Sequence, residues 1–277
     1  MKDLIIDCLL DSLLDSAKIL PFLLIAFLII EIIEHKLGDN TKRLITRSGK
    51  YGPAIGGLFG AIPQCGFSVL ATNLYITRII SLGTLISIYL STSDEMLPIL
   101  ISKNVDIKIV LSILLLKFII GMCFGFIIDL LWRRKSKQDF HICEESDCDC
   151  DESIIKSSIK HTFKTILFIF IVTLGLNVLL ELVDINSITM IDNNFLAPFI
   201  TSLLGLIPNC AASVVITELY LNELIGFGSM IGGLLTGSGV ALLVLFRSNK
   251  NIKENLLILG LVYSIGCVMG IIINLFI

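Results

Sequence analysis

The chain has 277 residues, 55% of them hydrophobic and 16% charged, with a formal net charge of −3 and a mean hydropathy of +0.91. A soluble domain of this size rarely looks like this, and a near-neutral charge balance argues against a nucleic-acid partner. The eight cysteines lie mostly inside apolar runs or in one loop, so they do not read as a secreted disulfide framework.

In chain order, residues 1–16 come first as an N-terminal amphipathic segment, with Asp3, Asp7, Asp11 and Asp15 in one stripe on its solvated face. No basic stretch leads into a short apolar core with a small-residue cleavage site, so no cleavable signal peptide is expected. Apolar runs at 17–33, 79–101, 107–132, 162–183, 224–246 and 255–277 approach or exceed the ~20 residues that cross a ~30 Å hydrocarbon layer. No β-barrel alternation is visible. The expected fold is an all-α polytopic membrane protein. Membrane repeat 1 spans 17–132, a cytoplasmic His/Cys/acidic linker spans 133–160, and membrane repeat 2 spans 161–277.

The repeats are visible in the sequence itself. At a shift of 145, Gly60, Ile62, Pro63, Cys65, Ser68, Val69, Thr72, Leu74, Tyr75, Ile80, Gly83, Ile86, Leu90 and Ser93 meet identical residues between 205 and 238. Gly121, Gly125 and Leu130 meet Gly266, Gly270 and Leu275 at the same shift. The earlier "LIIEIIE" (28–34) lies beside "VLLELVD" (178–184) at a shift of 150, which pairs Glu31 with Glu181 near helix ends.

Basic loops orient the halves. Loops 35–50, 133–160 and 247–253 are rich in Lys and Arg, and 184–194 has two aspartates and no basic residue. Short basic loops stay in the cytoplasm. The three basic loops share one side only if 51–75 and 195–220 each dip into the membrane and return. Each segment is too short for two full crossings at 1.5 Å per residue and suits two half-helices. "GAIPQCGFS" (60–68) and "GLIPNCAAS" (205–213) then mark the tips of two re-entrant hairpins. Non-helical backbone at that depth survives where it is buried in protein or lines an aqueous cavity. The two halves become inverted-topology repeats, each with a re-entrant hairpin and a broken transmembrane helix, the plan of many secondary transporters. Positions 76–78 are expected in the cytoplasm, and 221–223 and both chain termini outside.

The candidate translocation residues follow from these breaks. Around the knots they are Pro63, Gln64, Cys65 and Ser68, with Pro208, Asn209, Cys210 and Ser213 as counterparts. Cys65 and Cys210 are either a soft-metal or arsenic-binding pair or ordinary small apolar fillers. "STSDEMLP" (91–98) supplies Ser91, Thr92, Ser93, Asp94 and Glu95, and "TGSGVALL" (236–243) supplies Thr236 and Ser238. Carboxylates at the bilayer centre cost ~2.5–3.5 kcal/mol on insertion scales and are functional by default. The alternative is a helix restart with Ser93 or Asp94 as its N-cap. Asn73 and Glu218 occupy equivalent positions near the hairpin exits, where Glu218 is either a further carboxylate or a surface residue. Lys117, mid-span, either neutralises a buried acid or gates. Gly121-x-x-x-Gly125 and Gly266-x-x-x-Gly270 read as close helix packing. In the linker, His141, Cys143, Asp147, Cys148 and Cys150 suit a transient transition-metal site that senses or delivers metal, against the alternative of an acidic solvated linker.

At "PQCGFS", "STSDEMLP", "PNCAAS", "TGSG" and the His/Cys/acid loop, the chain resembles the prokaryotic ten-span heavy-metal exporter family, whose members are named as manganese transporters or arsenic efflux proteins. The resemblance covers nearly the whole chain. It implies ten membrane helical segments, export of a metal or metalloid, and a multi-pass protein of the prokaryotic plasma membrane. A more distant resemblance is to organoarsenical permeases. No G-x-x-x-x-G-K-[ST] motif is present, so an ion gradient is the expected energy source. The leading expectation is a secondary transporter, not an enzyme, exporting manganese, another divalent metal or a metalloid by alternating access. The alternatives are an organoarsenical or anion permease, an intramembrane thiol redox enzyme using Cys65 and Cys210, and a metal-sensing receptor. No cofactor is expected beyond a transported or sensed metal ion. The expected partners are the cargo, the lipid bilayer, a coupling proton or sodium ion, and a second copy of the chain in a homodimer.

Overall fold

Among the described residues, each half of the chain contributes five helices in the same order. The computed structural model describes residues 51–62, 65–93, 96–132, 195–209 and 211–276, with isolated helical positions from 9 to 28 and from 159 to 174. The first half contains α1 (Gly52–Gly60), α2 (Cys65–Ile76), α3 (Leu82–Ser91), α4 (Met96–Ser102) and α5 (Ile107–Leu131). The second contains α6 (Ala197–Gly205), α7 (Ala211–Leu221), α8 (Phe227–Thr236), α9 (Ala241–Ser248) and α10 (Ile252–Phe276). The described residues include no strand, in keeping with the all-helical expectation.

Local chemistry sets the helix ends. Pro stands in the first turn of both α1 and α6, where a missing N–H forfeits no helical bond. Ser81 caps α3 by accepting from the Thr84 N–H. α2 closes on Arg78 at φ 60° and α7 on Glu223 at φ 59°. In the first, the Arg78 N–H donates to Tyr75 O and the Ile79 N–H to Leu74 O. In the second, the Glu223 N–H donates to Tyr220 O and the Leu224 N–H to Leu219 O. This is the left-handed closure usually given to glycine, used at the same place in both halves by residues of opposite charge.

The inner helices are α3 and α8. α3 packs on α1 and α5, and α8 on α6 and α10. Every residue from Gly83 to Ser91 and from Gly228 to Thr236 is buried. Three stretches among the described residues are long and apolar enough to cross a membrane: Ile107–Leu131, Phe227–Ser248 and Ile252–Phe276. The middle one is 83% buried within the protein, against 33% and 39% for the other two. α5 and α10 instead turn Leu111, Leu115 and Leu130, and Leu256, Leu275 and Phe276, outward, as helices facing lipid do. The middle stretch is interrupted between α8 and α9, where Gly239 takes φ 56°.

Both small-residue motifs serve close packing. A Cβ on Gly125 would lie 2.7 Å from Gly83 O, and one on Gly270 would lie 3.0 Å from Gly228 O. Side chains at the far ends of α5 and α10 fix the direction of the crossing. Asp129 accepts from the Gly83 N–H at 2.8 Å and from Ser81 Oγ at 2.6 Å, at the start of α3. Its counterpart Asn274 donates to Ser229 Oγ at 3.0 Å, at the start of α8.

Candidate functional site

Two helix C-termini and one lysine meet in the interior. α3 ends with Thr92 as its C-cap, and α8 ends with Gly237 as its C-cap. A helix C-terminus leaves carbonyls without intrahelical partners and carries the negative end of the helix dipole. Lys117 is 1% exposed, and its Nζ donates to Thr92 O and, at 2.9 Å, to Leu234 O. One ammonium therefore joins the end of a helix from each half. Ten residues into α5, it stands ~15 Å from that helix's start, near the middle of a ~30 Å apolar layer. Val262 occupies the corresponding position of α10 and is buried without a charge.

Small hydroxyls surround the breaks. Thr92 Oγ1 donates to Ile88 O at 2.7 Å, and Ser93 Oγ to Ser91 O at 3.1 Å. Thr236 Oγ1 donates to Ser202 O and Gly233 O, both at 2.8 Å. The hydroxyls of Ser91, Ser202 and Ser238 are buried without a hydrogen-bond partner among the described residues. A buried hydroxyl left in this way is costly in an apolar surround.

The hairpin residues divide by half. Ser68 is fully buried, and its carbonyl accepts from Thr72 Oγ1 at 2.7 Å. That hydroxyl also lies 2.6 Å from the hydroxyl of the buried Tyr89. Asn73 is buried, with Nδ2 donating to Val69 O at 3.2 Å. In the second half Asn209 is buried, Pro208 and Ser213 are half-buried, and Glu218 is exposed on α7. The Asn73 and Glu218 positions, equivalent in sequence, thus differ in burial. Cys65 opens α2. Pro63, Gln64, Asp94, Glu95 and Cys210 lie outside the described residues, as do His141, Cys143, Asp147, Cys148 and Cys150 of the linker. Among the described residues no three His, Cys, Asp or Glu side chains cluster as metal ligands do.

A second polar group stands at the end of α2 and was not singled out from the sequence. Arg78 pairs with the buried Glu254 at 2.8 Å, and the Tyr75 hydroxyl donates to the same carboxylate. The hydrogen bond to Glu254 raises the proton affinity of the Arg78 guanidinium above its ordinary value. The available signals were slight: Tyr75 matches Tyr220 across the repeat, and Glu254 is the first acid after a basic loop.

No curated protein and no solved structure matches the chain. A family model does, over residues 1–193 and 181–277. These matches span the two halves, the three apolar helices long enough to cross a membrane, and the linker between them. The chain belongs to the ArsP_2 family, described as "Putative, 10TM heavy-metal exporter", and with it to the membrane transport proteins.

Proposed function

We propose that the protein exports a heavy-metal cation, manganese or another divalent metal, as a secondary transporter whose two inverted repeats alternate access to a central site. The observation that carries the cation reading is Lys117. An ammonium held by carbonyls at two helix C-termini marks a place whose electrostatics suit a positive charge, whereas an anion site would use helix N-termini. Asp94 and Glu95 follow Thr92 by two and three residues, with only Gly239 and Val240 opposite them in the second repeat. Carbonyl and carboxylate oxygens suit manganese-like cations better than soft metals. In this mechanism Lys117 and the cargo compete for the same carbonyls, so arrival of the metal drives the ammonium out.

The described contacts support two re-entrant hairpins entering from opposite faces. α1 runs beside α3, with Gly52 next to Thr84 at its start and Gly60 next to Ser91 at its end. α2 then closes on Arg78, three residues before Ser81 caps α3, so α1 begins and α2 ends at the same end of the bundle. α6 repeats this beside α8. Thr201 donates to Ser229 O, Gly205 lies next to Thr236, and α7 closes on Glu223 just before α8 begins. With α4 read as the continuation of α3, Val105 lies at the far end from Ser81. Val105 shares a cavity with Glu223 and Gly226, at the start of α8. α3 and α8 therefore point in opposite directions, as inverted repeats require.

The linker cysteines and acids at 141–152 complete the proposal as a cytosolic collecting site that raises metal concentration near the path. Transport in reconstituted vesicles under an imposed proton or sodium gradient tests the whole reading. Manganese, zinc, cadmium, arsenite and an organoarsenical are supplied to the native chain and to Asp94→Asn and Glu95→Gln variants. Divalent-metal flux that falls to background in the variants is the expected result. Flux of arsenite or the organoarsenical alone would replace this reading with the permease.

A further inference from the structure

The repeat makes a comparison possible between two junctions that should be alike. At the end of α2, Arg78 Nη1 donates to Glu254 Oε1 at 2.8 Å and Nη2 to Oε2 at 3.2 Å. The Tyr75 hydroxyl donates to Oε1, and Asn251 Nδ2 reaches Oε2 at 3.4 Å. The guanidinium also lies over the Tyr75 ring, 5.6 Å from its centroid. A guanidinium forked onto a buried carboxylate is directional and stronger than a neutral hydrogen bond. This junction ties the last turn of a helix in the first half to the first turn of α10 in the second.

The shift of 145 puts Tyr220 where Tyr75 stands, Glu223 where Arg78 stands, and Ile109 where Glu254 stands. Tyr220, Glu223 and Ile109 do not close on one another. Together with Val105 and Leu224 they line a cavity of about 500 Å³. The chemistry agrees with the geometry. Glu223 has an isoleucine at the position where Arg78 has a carboxylate, so the same fork cannot form there. A molecule built from two like halves is thus latched at one junction and open at the other.

We infer that Tyr75, Arg78 and Glu254 form the gate that closes one mouth of the path, and that the cavity at Tyr220, Glu223 and Ile109 is the opposite mouth, open in this structure. The inference rests on the transporter reading above. It adds that the resting bias between the two access states is set by a charge fork present at one mouth only. With the latch on the side of the basic loop 247–253, the cytoplasmic mouth is the one held shut. Loading from that side must break the fork, and the open mouth must close without one.

Two reporters read the mouths. Leu224 lines the open cavity and is 41% exposed, and Thr84 is buried in the first turn of α3, beside the latch. Leu224→Cys and Thr84→Cys are each placed in the otherwise native chain. Labelling by a membrane-impermeant maleimide is then measured in sided vesicles, without metal, against the chain lacking the added cysteine. With the latch intact, Leu224→Cys labels and Thr84→Cys does not. Adding Glu254→Gln should lower labelling at the first and raise it several-fold at the second, and the swap Arg78→Glu with Glu254→Arg should restore the native pattern. Tyr75→Phe keeps the ion pair and removes one hydroxyl, so it should move both reporters the same way by a smaller amount. Labels unchanged in a folded Glu254→Gln protein overturn the gate. Should that variant not fold, unchanged labels in Tyr75→Phe overturn it equally. Because the labels need no cargo, a failed metal assay leaves the gate standing, and normal metal flux with unmoved labels sinks the gate alone.

Discussion

Lys117 is a charge from one repeat inserted where the other repeat has Val262, and its hydrogen bonds run to backbone carbonyls of both halves. A buried ammonium needs such partners, because desolvation penalises it heavily otherwise. The carbonyls need it as well. Removing one donor from a buried acceptor costs ~1–3 kcal/mol. Lys117→Met should therefore lower the thermal unfolding midpoint of the purified protein and reduce metal flux to background. Lys117→Arg keeps the charge, but its planar fork cannot approach both carbonyls as a compact ammonium does. It should recover much of the stability and little of the flux. Flux near the native rate in Lys117→Met would remove the lysine from the proposed mechanism.

At the scale of helices, the crossings of α5 on α3 and α10 on α8 depend on backbone meeting backbone. A Cβ on Gly125 would press on Gly83 O at 2.7 Å, and backbone cannot swing away as a side chain can. Overpacking of this kind costs ~1–3 kcal/mol. Gly260 sits mid-helix in α10, and a Cβ there would meet nothing within 4 Å. Gly125→Ala should thus destabilise, while Gly260→Ala should stabilise by up to ~1 kcal/mol through helix propensity. Unfolding midpoints in detergent check both signs. Much of this architecture was legible in the sequence because the contacts demand particular letters. Glycine at 125 and 270, proline in the first turns of α1 and α6, and polar breaks after 91 and 236 all recur at one offset. Other contacts left no such trace. The groups that Lys117 reaches at Thr92 and Leu234 are carbonyls, which every residue carries. The Arg78–Glu254 pair joins positions 176 apart, and no local pattern links residues so distant. Both left-handed closures are made by charged residues where glycine would have announced a turn.

For the molecule as a whole, the two halves share helix order and packing partners, yet the charges that matter are unevenly divided. Lys117, Arg78 and Asp129 belong to the first half, and their counterparts are Val262, Glu223 and Asn274. Under the proposed alternating access, like frames with unlike charges would give the two states unequal energies, a bias that a driven transporter can exploit. The proposed inverted arrangement also makes a demand that is independent of any cargo. Tyr51 precedes α1 and Ile79 follows α2, so a re-entrant hairpin puts both on one face of the membrane. Leu196 precedes α7's partner α6 and Asn222 follows α7, so both belong on the opposite face. Tyr51, Leu196 and Asn222 are exposed, and Ile79 is partly so. Single cysteines at these four positions, labelled from each side of oriented vesicles, should therefore fall into two pairs: Tyr51→Cys with Ile79→Cys from the cytoplasmic side, and Leu196→Cys with Asn222→Cys from the outside. If Tyr51→Cys and Ile79→Cys label from opposite faces, the segment between them crosses the membrane once. The basic loops at 35–50 and 133–160 would then lie on different sides, and the inverted repeat with its alternating access would have to be abandoned.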